Sequence, residues 1–236
     1  MPLLLLALIP IAGVVVAAVA GGTHYVNSQL SPSKIQPVIR EMPQSGLTSY
    51  TLRPQFRLNN KLLNVYSRTG TKLFRFVRHQ AAPEVQGVTY SLLDGRDAHP
   101  LSTIHIGGLK SQVLFHASAE MVENPGLVEV HHVVADGENF RVFILPDGTV
   151  YQWTRQRFLE KVHTKPGSNQ VEVREQIAVA RRIGTRIWEI KFDERQLAAD
   201  IVMSTCLISI FDQWNTIWGV GGIYFKSDKH LAAKYS

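Results

Sequence analysis

From residue 47 onward, apolar and polar positions alternate in short runs that end at Gly, Pro, Asp or Asn. A period of two predicts strands, because successive strand side chains point to opposite faces. Strands are expected at 62–66, 72–77, 88–93, 101–106, 113–117, 127–134, 140–145, 149–153, 171–180 and 186–192. Arg68-Thr69-Gly70 joins the first two as a hairpin, with Gly70 at a positive φ. Asp94-Gly95, Gly107-Gly108, Asp136-Gly137 and Pro146-Asp147-Gly148 supply further turns. Short strands joined by local turns, without intervening helices, predict a mainly β domain. Its antiparallel sheet either closes into a barrel or folds as a sandwich.

One late stretch breaks the alternation. Asp193 and Gln196 resemble a capping box, and residues 197–211 are then apolar on nearly every face, relieved mostly by small hydroxyls. A helix of that kind needs protein or lipid on all sides, and this one is too short for a comfortable membrane span. A helix over 201–211, buried inside the β structure, is therefore expected. The β-branched Ile201, Val202, Thr205, Ile208 and Ile210 support a buried strand as the competing reading.

A second departure lies at the start. Residues 3–20 are apolar or small, with no charge among them. At about 1.5 Å per residue, a helix of that length nearly spans the hydrocarbon of a bilayer. Ala18-Val19-Ala20 fits a signal-peptide cleavage site, but Met1-Pro2 lacks the basic residues such leaders carry. A transmembrane anchor over residues 1–21 is the preferred reading, and Pro10 is tolerated in such a span. Lys34, Arg40, Arg53 and Arg57 follow the segment and none precedes it, which predicts a cytosolic C-terminal domain. A single cysteine and the absence of any Asn-x-Ser/Thr sequon agree with that side. A mitochondrial inner-membrane placement fits the composition equally. Gly21-Gly22, Ser31-Pro32, Pro37, Pro43 and Ser45-Gly46 interrupt residues 22–46, which read as a tether to a domain over 47–225. Residues 226–236 form a basic tail.

The chain has 236 residues, 45% of them hydrophobic, enough for one domain with a core beyond the anchor and tether. A net charge of +6 and a pI near 9.5 favour anionic partners. Basic residues cluster at Arg155, Arg157, Lys161, Lys165, Arg174, Arg181, Arg182 and Arg186, with Lys191 beyond them. Placed on one face by adjacent strands, they would meet anionic head groups, each cation contributing about 1 kcal/mol. Charges on strands also keep barrels soluble and protect edges, which is the competing explanation.

Particular stretches carry a family resemblance. Asn64-Val65-Tyr66-Ser67-Arg68-Thr69-Gly70-Thr71-Lys72-Leu73-Phe74 is a short turn leading into an aliphatic-aromatic strand. Tyr90-Ser91-Leu92-Leu93-Asp94-Gly95, followed by Pro100-Leu101-Ser102-Thr103-Ile104, is an apolar strand, an Asp-Gly turn and a second strand. Residues 143–153 repeat that unit. With the late apolar helix, these resemble the tubby C-terminal-like superfold, the group of tubby proteins, LURP-one-related proteins and phospholipid scramblases. The resemblance spans residues 47–218 and implies a closed antiparallel β-barrel threaded by a hydrophobic helix, with lipid association or membrane-tethered regulation. The chain departs from the pattern by continuing into Gly219-Val220-Gly221-Gly222 and a basic tail. No position matches the phosphoinositide-binding set of the tubby proteins, so no binding residue carries over.

Little in the chain points to catalysis or metal binding. His131-His132, the adjacent histidine pair, falls in an expected strand and so points to opposite faces. Cys206 lies in the apolar stretch without a cation beside it in sequence to stabilise a thiolate. There is no Gly-x-Ser-x-Gly elbow and no phosphate loop. Asp94, Asp97, Asp136 and Asp147 sit in or beside glycine turns rather than at calcium-loop spacing. The expectation is a non-catalytic, cofactor-free, single-pass membrane protein whose domain binds anionic phospholipid or scaffolds partners at the membrane, with no nucleic-acid role. The alternative is an accessory subunit of a larger membrane complex.

Overall fold

The computed structural model describes residues 9–11, 14–16, 18–19, 22–23, 37–56, 59–79, 87–95, 100–107, 110–116, 126–135, 138–164 and 172–214. Near the start, β1 (Ile9–Ile11) pairs with β2 (Val14–Val16), and β3 (Ala18–Val19) pairs with β4 (Gly22–Thr23), both apart from the main sheet. The described residues of the segment 1–21 are thus strands rather than the expected transmembrane helix, and the rest of that segment lies outside the described residues. Among the described residues, no helix is long and apolar enough to cross a membrane. The basic tail also lies outside them.

The main sheet begins with β5 (Val38–Arg40), inside the segment read as a tether, and continues through β6 (Thr48–Phe56), β7 (Asn59–Ser67), β8 (Lys72–Arg78), β9 (Val88–Asp94) and β10 (Pro100–Ile106). It goes on with β11 (Lys110–Phe115), β12 (Leu127–Ala135), β13 (Glu138–Ile144), β14 (Val150–Trp153), β15 (Phe158–Thr164), β16 (Glu172–Gly184) and β17 (Ile187–Phe192). Each strand from β6 pairs antiparallel with the next, and β17 returns to β6. These twelve strands therefore close into an up-and-down barrel rather than a sandwich. Closure leaves no free edge in the ring. β5 adds to it in parallel, Val38 opposite Val173, along the part of β16 that β17 does not reach.

Alternation decides which side chains enter the lumen. On β17, Trp188, Ile190 and Phe192 are buried and their neighbours are not; on β10, Ser102, Ile104 and Ile106 behave alike. The expected turns at Gly70, Gly95 and Gly148 are also present, and Gly108, Asp136 and Gly137 lie outside the described residues. Gly70 adopts φ +84°, which a glycine reaches without strain. Gly95 donates to the Leu73 carbonyl at 2.7 Å, and an added Cβ would lie 2.7 Å from the same oxygen, so this turn admits no side chain.

The lumen holds α1 (Ala199–Asp212), whose residues from Asp200 to Phe211 are all buried. The helix reading thus holds over the strand alternative, because a single segment enclosed by strands has none left to pair with and must satisfy its backbone internally. Its polar side chains are small and mostly matched. Ser204 shares a 2.8 Å hydrogen bond with Ser102 on β10. The Thr205 hydroxyl donates to the Ile201 carbonyl at 2.8 Å and accepts from Trp153 Nε1 at 3.1 Å. Tyr90 stacks on Phe211 with ring centroids 5.5 Å apart. The start of the helix differs from expectation. Its N-cap is Ala198, with no side-chain bond, and Asp193 instead closes the turn before it, accepting from the Arg195 backbone at 3.1 Å. Asp200 in the first turn is buried, and that burial pushes its carboxyl above the usual range.

The C-terminal end of α1 is held by the barrel wall. The helix has no basic residue in its last turn, so Arg141 on β13 supplies the cation that a helix C-terminus favours. Its Nε donates to Asp212 Oδ2 at 2.7 Å and its Nη2 to the Asp212 carbonyl at 3.1 Å. Gln213 Nε2 donates to the Asn139 and Trp153 carbonyls, and Trp214 Nε1 donates to the Thr154 carbonyl at 3.1 Å.

Candidate functional site

Strand direction sorts the basic residues. The β12–β13, β14–β15 and β16–β17 connections all leave the barrel at the end where α1 finishes. Arg155 and Arg157 lie in the β14–β15 turn, and the Arg157 carbonyl accepts from Ala180 on β16 at 2.9 Å. Arg181, Arg182 and Arg186 occupy the β16–β17 hairpin beside it. Five of the eight candidate residues thus meet at one mouth of the barrel.

Two of the remaining three, Lys161 and Arg174, do not join them. Lys161 sits on the wall opposite Glu175, toward the other end. Arg174 is spent on carboxylates: its Nε bonds Glu172, its Nη1 lies 3.8 Å from Glu160, and its guanidinium lies 5.4 Å from the Phe140 ring centre. Lys165 lies outside the described residues. A single face bearing all eight is therefore not what the fold makes. The division follows from β15 running away from the mouth, so that each residue along it moves further from the turn.

The mouth is built on tryptophan. Trp188 stacks on Trp214 at 5.4 Å, and Trp214 meets Trp153 edge-on at 5.5 Å. The Arg157 guanidinium lies 5.3 Å from the Trp188 ring centre. Arg157 has φ 73°, a region where a residue with a Cβ costs about 1–2 kcal/mol and glycine costs little. The backbone alone would favour glycine there, so the arginine is accounted for by its side chain. The turn is tight: Thr154 Oγ1 accepts from the Phe158 backbone at 3.1 Å, and the Arg157 N–H donates to the Thr154 carbonyl at 3.0 Å. Arg181 faces Glu189 across the strand pair, and Arg182 Nε donates to the Gly184 carbonyl at 3.2 Å.

Two aliphatic residues at this mouth escaped the sequence reading. Ile183 on the β16–β17 hairpin is 56% exposed, and Val134 at the end of β12 is 58% exposed. Gln156 Nε2 donates to Glu138 Oε1 at 3.0 Å, which ties the arginine turn to the hairpin that carries Val134. A large aliphatic next to Gly184 in an otherwise polar hairpin tip was the available signal.

Other reactive groups are engaged in structural roles. His131 lies 3.6 Å from Glu129, and His132 shares a 3.2 Å bond with Asn139. On the outer wall, His79 pairs with Ser91, His105 with Thr89 and His116 with Thr103. Cys206 is fully buried, and burial pushes its thiol up, away from the reactive thiolate. Glu160 is also buried, which pushes its carboxyl up against the opposing pull of Gln152 and Arg174. Among the described residues, no group of three or more His, Cys, Asp or Glu side chains could hold a metal ion.

No family model matches the chain, and no curated protein sequence matches it. A solved X-ray structure of a protein from Arabidopsis thaliana is similar to it, with 15% sequence identity and a TM-score of 0.34 over 68% of this chain and 91% of that one. Among the described residues the chain forms a closed antiparallel barrel of twelve strands with one C-terminal helix, and five arginines stand on two neighbouring connections at one mouth.

Proposed function

We propose that this protein is a non-catalytic, single-pass membrane module of tubby-like type, whose barrel meets anionic phospholipid at the bilayer surface. Twelve antiparallel strands around one buried apolar helix support the tubby-like part of the reading. The uncharged run at residues 3–20 supports the membrane part, with the barrel on the cytosolic side. The meeting of Arg155, Arg157, Arg181, Arg182 and Arg186 at one mouth carries the lipid part. Guanidinium groups suit phosphate because their planar fork donates two parallel hydrogen bonds. A tether keeps that mouth near the headgroups and raises its effective concentration.

Flotation of the full chain on phosphatidylcholine vesicles, with and without phosphatidylserine, tests this. The excess on anionic vesicles isolates headgroup charge from the apolar leader. Arg181→Glu with Arg182→Glu is expected to cut that excess by at least about 30-fold, from the loss of about 2 kcal/mol of attraction before the repulsion of the two new carboxylates is added, and to flatten its salt dependence. Equal flotation of variant and parent on anionic vesicles would end the reading.

One feature favours the accessory-subunit alternative. Leu114 and Leu127 face each other across β11 and β12, 43% and 56% exposed, on the wall away from the mouth. An aliphatic step of that kind suits a protein neighbour. A stable multi-protein particle in mild detergent would favour it, and a lone monomer would favour the lipid module.

A further inference from the structure

Resting on the anionic-surface reading, we propose that the barrel docks end-on and inserts Ile183 and Val134 among the lipid acyl chains while the flanking arginines hold phosphate. The arrangement of the mouth carries this. Val134 and Ile183 stand on the β12–β13 and β16–β17 hairpins, and the β14–β15 turn with Arg155 and Arg157 lies between them. At about 4.8 Å per strand, β12 and β16 are roughly 19 Å apart along the wall. That spacing gives two aliphatic contacts around a cationic centre, rather than one chance exposure.

Both are large aliphatics exposed beside polar neighbours. Val134 faces Asn139 across its hairpin, and Ile183 stands between Arg182 and Gly184. An aqueous protein partner is the weaker occupant, because arginines beside exposed aliphatics match a surface that is anionic above and apolar beneath. The geometry also gives the docked barrel a direction. The mouth with Trp153, Trp188 and Trp214 faces lipid, and the β13–β14 turn at Asp147 and Gly148 faces away.

Cys206 makes the test simple, because its buried thiol is inert and an introduced cysteine labels alone. Full-length protein carrying Ile183→Cys, labelled with an environment-sensitive fluorophore, would be added to the same two vesicle types, with brominated lipid as quencher. A blue shift and quenching on anionic vesicles are expected, with no change for a label at Leu114→Cys on the wall. Ile183→Ser with Val134→Ser, which changes no charge, is expected to lower the anionic excess on the order of tenfold and to leave binding more salt-sensitive. A label at 183 that stays in water while the anionic excess persists would overturn the insertion and leave the lipid reading standing. No anionic excess for the parent protein would overturn both.

Discussion

Ile208→Asp is expected to unfold the barrel at ordinary temperatures. Ile208 is fully buried at the centre of α1, inside a ring of strands that leaves no path to water. The substitution removes the transfer free energy of a whole aliphatic side chain and places a carboxyl where no partner waits. The combined cost exceeds about 4 kcal/mol, a large part of the roughly 5–15 kcal/mol by which a domain is stable. Ile208→Val keeps the shape and is expected to cost only about 1 kcal/mol. Circular dichroism and tryptophan fluorescence through a thermal scan check this: a cooperative transition for the valine variant and none for the aspartate variant. A folded aspartate variant would mean that α1 is not the core.

The second large effect concerns the ion pair that holds α1 in register. Arg141 is 3% exposed and Asp212 is 30% exposed, so the two partners are unequal. Asp212→Ala strands a guanidinium in a dry site with only carbonyl partners, at Phe140 and residue 212 itself. Loss of one partner of a buried pair costs about 3–5 kcal/mol, and the half-wet carboxylate points to the lower figure. Arg141→Leu removes the buried charge and leaves a carboxylate that water reaches, so its expected cost is about 1–2 kcal/mol. The order is the prediction: chemical denaturation should find the aspartate variant the less stable, with the double variant recovering part of the loss. The reverse order would show that the pair contributes by packing rather than by charge.

The core of this fold is readable from the pattern of residues alone. Period-two runs mark the strands, the glycine turns at Gly70 and Gly95 mark the hairpins, and an apolar stretch with small hydroxyls marks the helix. Thr205 shows why those hydroxyls are tolerable, since one oxygen serves both Ile201 and Trp153. β15 was missed because Glu160 and Lys161 interrupt its apolar run, and a local window does not reveal that Gln152 and Arg174 come from neighbouring strands to meet Glu160. β5 was missed for a similar reason. Its three side chains are all exposed, so only backbone pairing with β16 defines it.

The candidate site was half legible. Arginine content signals an anionic partner, but which arginines act together depends on strand direction and register. A shift between Leu159 and Glu160 opposite β16 changes the pairing along the wall, and nothing local announces it. Arg155 and Arg186 are 31 positions apart in sequence (186 − 155) yet share a mouth, whereas Arg174 between them is claimed by Glu172 and Glu160. Ile183 was signalled by its place beside Gly184 in a polar hairpin tip, whereas Val134 ends an ordinary apolar run and its exposure shows only in the fold.

Hydrogen–deuterium exchange of the full chain, compared between neutral and phosphatidylserine-containing vesicles, bears on the orientation most directly. Slowed exchange confined to the end of β12 at 133–135, the turn at 154–157 and the hairpin at 182–187, with 67–72 and 145–149 unchanged at the opposite end, is the expected result. Equal exchange at both ends in the two lipids, or slowing at 67–72 and 145–149 instead, would contradict a barrel that meets anionic lipid through its arginine mouth.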